Sequence, residues 1–118
     1  MEARTLLALA LTLVACASVP ERSATPTAAD TAAEALARKE AELAEAEARL
    51  RADPTDEDAL IWVGRRLAYL ERFDEAQALY TRALASHPES WRVLRHRGHR
   101  WITLRRFDRA VEDLSRAW

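Results

Sequence analysis

The chain is 118 residues long, 49% hydrophobic and 31% charged, with a net charge of −1 at pH 7. Two glycines are too few for a glycine-rich phosphate loop, and a single cysteine cannot build a disulfide framework. No Ser, His and Asp arrangement has a recognisable catalytic spacing, so composition points away from an enzyme and implies no cofactor.

The first predicted element is apolar. Thr5 to Ala17 carries almost no polar side chain, and about 13 residues fall short of the ~20 a membrane span needs while suiting the hydrophobic core of a signal peptide. It ends in Leu13-Val14-Ala15-Cys16, which resembles the lipobox of bacterial lipoproteins. The resemblance implies a signal peptide over 1–15, lipidation of Cys16 as the new first residue, and a membrane leaflet facing the periplasm. In that family an Asp after the cysteine favours the inner membrane, so Ala17 leans toward the outer one. Two alternatives stay open: Ala15-Cys16-Ala17 also fits ordinary secretory cleavage to a soluble periplasmic protein, and the segment can remain uncleaved.

Residues 16–32 hold Pro20, Pro26 and several Ser, Thr and Ala without a periodic apolar pattern, and read as a disordered tether. From 33 to 54 the composition turns to Ala, Glu, Arg and Leu, all good helix formers. Glu45 with Arg49, and Glu47 with Arg51, stand four apart for ion pairing on one helix face. Leu36, Leu43 and Leu50 recur every seven residues, but under three heptads is too short for a coiled coil, so a packing helix is the better reading.

Beyond this helix the chain repeats itself. Gly64 and Gly98, Phe73 and Phe107, Asp74 and Asp108, Ala76 and Ala110, and Ala83 and Ala117 are each 34 positions apart. Within each unit the apolar residues recur every three or four positions. Leu60, Val63, Leu67 and Leu70 mark a first helix, and Ala76, Leu79, Tyr80, Ala83 and Leu84 a second. His87-Pro88 stops the second helix, because Pro disfavours helical geometry in the residue before it. The pattern restarts with Leu94, Gly98, Trp101 and Leu104, then Phe107, Ala110, Val111, Leu114 and Ala117. Gly64 lies on the apolar face, where its cost of about 1 kcal/mol against Ala implies a close helix approach.

These residues resemble the tetratricopeptide repeat, a family of 34-residue helical hairpins stacked into a superhelix. The match runs through Leu60, Val63, Gly64, Leu67, Phe73, Ala76, Tyr80, Ala83 and Pro88 in a first unit over 55–90, and through Leu94, Gly98, Trp101, Phe107, Ala110, Leu114 and Ala117 in a second over 91–118. The fold class it implies is an all-α solenoid of about two repeats, preceded by a helix that ends like a degenerate half-repeat at Asp53-Pro54. Arg97 stands where the family has an apolar residue, and is expected to snorkel from a loose contact. Trp101 takes a core position.

The family binds peptides on a concave face lined by first helices. By register the candidates are Asp58, Ile61, Trp62, Arg65 and Tyr69, with Arg92, Arg95, His96, His99 and Thr103. Trp62 and Tyr69 can grip an apolar side chain while Arg65, Arg92 and Arg95 hold carboxylates, so the expected partner is a protein or peptide, an acidic one among the candidates. Packing of Trp62 against the preceding helix is the competing reading. The family's carboxylate clamp of Lys and Asn is absent. His96 and His99 stand three apart without a third ligand nearby, so no metal is expected.

Charge is unevenly spread. Residues 34–58 hold nine acidic and four basic residues, a balance of −5, and 91–118 hold eight Arg against three acidic residues, a balance of +5. Such polarity steers an acidic partner or aligns protomers head to tail, or is ordinary surface charge. The Arg-rich end raises a rival function, binding an anionic envelope polymer, whereas a periplasmic address argues against nucleic acid. Trp118 falls inside the expected second helix of unit two, which leaves Val111, Leu114 and Trp118 exposed. This suggests self-association there, or that the chain is the N-terminal part of a larger enzyme or assembly factor.

Overall fold

The computed structural model of the chain describes residues 25 and 27–118. The apolar stretch 5–17, Cys16 and most of the expected tether lie outside the described residues. Five helices follow one another: α1 (Ala28–Ala52), α2 (Glu57–Tyr69), α3 (Phe73–Ser86), α4 (Trp91–Thr103) and α5 (Phe107–Arg116). Each packs on the next, and α2 also touches α4. Among the described residues there is no strand, and no helix is long and apolar enough to cross a membrane.

Helix α1 starts at Ala28, ahead of the start at residue 33 expected from the sequence. A capping box sets the start. The Thr27 hydroxyl accepts the Asp30 N–H at 3.2 Å, and the Asp30 carboxylate accepts the Thr27 N–H at 2.8 Å. The expected Glu45–Arg49 bridge forms at 2.7 Å, on an exposed face where it is worth little. The Glu47–Arg51 pair does not form. Of the three heptad leucines Leu43 is buried, Leu50 is partly buried and Leu36 is exposed, so the inner half of α1 packs and the outer half stands clear.

The 34-residue offset reappears in the backbone. Asp56 and Ser90 cap α2 and α4, accepting the N–H groups of Ala59 and Val93. Both hairpin turns close the same way. Arg72 N–H donates to Leu67 O while Glu71 N–H donates to Ala68 O, and 34 residues on Arg106 N–H donates to Trp101 O while Arg105 N–H donates to Ile102 O. This is the Schellman pattern, with Glu71 (φ 60°) and Arg105 (φ 57°) in the left-handed region usually filled by glycine. The joints between units also match: His87 N–H donates to Ala83 O as Asp53 N–H does to Arg49 O. α1 therefore enters the first hairpin as α3 enters the second.

The core gathers Leu43 and Ala46 from α1, Leu60, Ile61, Val63 and Leu67 from α2, Ala76, Leu79, Tyr80 and Ala83 from α3, and Val93 from α4. Gly64 lies directly under the Tyr80 ring, and a Cβ there would collide with it. Gly98 repeats the device: a Cβ would stand 2.7 Å from Leu114 Cγ. Tyr80, 1% exposed, contributes about 2 kcal/mol by burial.

Two residues differ from their sequence reading. Arg97 does not snorkel. Its guanidinium forks onto the Asp113 carboxylate at 2.7 and 2.6 Å, and Asp113 is fully buried. Trp101 is only half-buried, with the Arg109 guanidinium 5.2 Å from its ring. Ala110 is buried, Ala117 half-buried and Pro88 exposed, its carbonyl accepting a bond from Arg116.

Candidate binding groove

Helices α2 and α4 share a register, so residues at equal positions along them face the same side. Ile61, Trp62, Arg65, Ala68 and Tyr69 from α2 line one groove with Arg92, Arg95, His96 and Arg100 from α4, over Tyr80 of α3. Its volume is about 420 Å³. Seven of the residues singled out in the sequence meet here. Ile61 belongs to the buried floor rather than the rim. His99 faces another hollow with Trp91 and Trp118, Asp58 stands outside and pairs with Arg92, and the Thr103 hydroxyl turns back to the His99 carbonyl. Tyr80, assigned in the sequence to the repeat core alone, and Arg100, not among the candidates, also line the groove. Tyr80 reads as core, and Arg100 shows its position only once α4 is set against α3, where its guanidinium lies 5.8 Å from the Phe73 ring.

The cations of the groove have different commitments. Arg92 reaches the Asp58 carboxylate at 2.5 Å and lies 4.0 Å from Glu57, which also accepts the Ser90 hydroxyl bond. That set of contacts ties α4 to α2. Arg65 donates to the Tyr69 hydroxyl at 3.1 Å and lies 4.5 Å from the Trp62 ring centre. Among the described residues Arg65, Arg95 and Arg100 form no ion pair, and no carboxylate lines the groove.

Trp62 serves two sides. It is partly exposed in this groove and also borders a smaller one on the α1 side with Glu42, Glu45, Ala46 and Arg49. Arg66, pinned to Glu42 at 2.7 Å, lies 5.3 Å from its ring. At the groove floor His96 stacks on Tyr80, ring centres 6.0 Å apart. Burial, and then the Arg95 and Arg65 charges, push the His96 pKa down to about 4, so it is neutral at pH 7. Burial pushes the Tyr80 hydroxyl up to about 12. The Arg65 hydrogen bond lowers the Tyr69 pKa. Among the described residues no group of three His, Cys, Asp or Glu could hold a metal.

Helical hairpins at a 34-residue period, stacked through small-residue contacts, define the fold as an all-α solenoid of tetratricopeptide type. Three chains of solved structure match it. One, "MamA MSR-1 C2", a tetratricopeptide-type protein, superposes with a TM-score of 0.61 at 21% identity over 74% of this chain. The match spans 49% of that chain, and at this identity it speaks for the fold alone. No protein-family model matches the chain, and no curated protein does.

Proposed function

We propose that the chain is a protein-interaction scaffold whose α2–α4 groove holds an acidic peptide segment of a partner protein. One observation carries this reading: Arg65, Arg95 and Arg100 converge without carboxylates around the exposed faces of Trp62 and Tyr69. Arg65 and Arg100 are half-buried and Arg95 is exposed; guanidiniums gather paired carboxylate oxygens, and aromatic faces anchor an apolar side chain beside them. Arg92 shapes the wall but spends its donors on Asp58. A displayed library of random peptides, panned on the full chain, is expected to enrich acidic sequences carrying an apolar residue. The double variant Arg65→Glu, Arg95→Glu is expected to lose that enrichment. Equal recovery of basic and acidic peptides by the wild type would overturn the reading, and retention that collapses with salt regardless of peptide sequence would favour simple polyanion binding.

The scaffold is anchored, in this reading, by a lipid on Cys16 and faces the periplasm from the outer membrane. The support is the Leu13-Val14-Ala15-Cys16 sequence behind a short apolar stretch. Intact mass and membrane fractionation test it. A lipid-sized mass increment and membrane association, both lost in Cys16→Ala, are expected; a soluble unmodified chain would remove the anchor.

A further inference from the structure

Trp62 of α2 is matched, 34 residues on in α4, by His96, so the second unit puts a titratable ring where the first has an indole. That ring faces the peptide groove. His96 lines the hollow and lies nearly flat on Tyr80, the two ring planes 15° apart. Its nitrogens make no hydrogen bond to the described residues, unlike those of His87, whose Nε2 meets the Thr55 carbonyl at 2.6 Å.

The charges around His96 have one sign. Arg65 faces it from α2, and Arg92, Arg95 and His99 lie near it on α4 itself. From α3 comes the Tyr80 hydroxyl, which stays protonated because burial pushes its pKa up to about 12. The acidic groups of the packed helices are turned elsewhere: Glu57 and Asp58 of α2 to Arg92, Glu75 of α3 to Arg72, and Asp113 of α5 to Arg97. With no carboxylate lining the groove, an imidazolium here meets partial burial and like charge, and the empty groove keeps the ring neutral.

An acidic segment reverses that balance. Carboxylates entering beside Arg65 and Arg95 offset the guanidinium charge and give the ring nitrogens an acceptor, and both effects favour the charged ring. We propose that the groove takes up a proton together with its acidic ligand, a carboxylate held by Arg65 and Arg95 being shared with a protonated His96, so that binding tightens as pH falls. This coupling rests on the groove being the site of the acidic segment, and makes His96 the group that regulates it. Proton and ligand promote each other by the same factor. The bound ring titrates higher than the free one, so the extra affinity develops as pH drops through the ordinary value of 6.5 and levels off near the free value of about 4.

Fluorescence anisotropy of the full chain tests the proposal, at fixed ionic strength from pH 7.5 to 5.5. The probe is a labelled, end-capped peptide of one leucine between two pairs of aspartates, which stay ionised over this range, so a slope belongs to the protein. The wild type is expected to bind about tenfold more tightly at pH 5.5 than at pH 7.5, the gain from returning His96 to its ordinary pKa. In His96→Phe, which keeps a ring on Tyr80, the slope is expected to vanish whatever the affinity, whereas His99→Gln is expected to retain it. The His96 Cε1–H resonance of the wild type gives a reading that needs no variant: its midpoint is expected near 4 without peptide and near 6.5 with peptide bound. A wild type that binds with no slope, a slope that survives in His96→Phe, or a midpoint unmoved by peptide would overturn the coupling and leave the groove standing. No binding at any pH would overturn both.

Discussion

Val63 on α2 and Leu79 on α3 are both buried in the first hairpin; 34 residues on, the same two positions carry Arg97 and Asp113, bonded to each other. The apolar contact has been replaced as a pair. Breaking a buried ion pair on one side strands a charge, so Arg97→Val alone is expected to cost about 3–5 kcal/mol, while Arg97→Val with Asp113→Leu is expected to be neutral or stabilising by about 1–4 kcal/mol. Chemical denaturation of the two single variants and the double variant measures the coupling. Arg97 alone looked like an outlier in the sequence; its partner becomes legible only when both departures from the apolar pattern are compared at the 34-residue offset. His96 gives a pH dependence. Its pKa falls from 6.5 unfolded to about 4 folded, so between those values the unfolded chain binds a proton the folded chain refuses, and stability decreases as pH drops through this window. His96→Phe keeps the stack on Tyr80, and its stability is expected to be flatter from pH 6.5 to 4. Glu71, held at φ 60°, is expected to stabilise by up to about 1 kcal/mol on conversion to Gly.

At the scale of the helix, apolar periodicity with its stop at His87-Pro88 located four of the five elements closely, because each hairpin buries one face of each helix and little else competes for those positions. The start of α1 was missed for a local reason: the Thr27–Asp30 box uses Asp where Glu or Gln is the commoner signal, and the alanines after it carry no periodic stripe. The groove was legible through register, since residues at i and i+34 on α2 and α4 fall on one side. The commitment of Arg92 to Asp58 was not, because it depends on how closely α4 approaches α2. Gly64 tests that closeness. Gly→Ala in a helix normally gains about 1 kcal/mol, yet here the added methyl meets the Tyr80 ring, and overpacking is expected to reverse the sign and cost about 1–3 kcal/mol. Thermal unfolding of Gly64→Ala, with Ala41→Gly on exposed α1 as the propensity reference, separates the two effects.

Across the whole molecule, contacts run between neighbouring helices, so stability is distributed along the stack rather than pooled in one centre. Hydrogen exchange is expected to show the outer half of α1 losing protection first, and α2, α3 and the buried part of α4 last, since Leu43 is the first buried residue of the chain's described part. Uniform protection along α1 would contradict this ordering.

Repetition carries a hazard of its own. Two hairpins built to one template can exchange partners during folding, α2 closing on α5 or α4 on α3 in the intra-hairpin manner. The unlike pairs prevent it. A swapped closure would bury Asp113 against Val63, or Arg97 against Leu79, and leave a lone charge in an apolar pocket at a cost of several kcal/mol. The ion pair that departs from the repeat pattern thus acts as a key that lets each helix recognise its own mate.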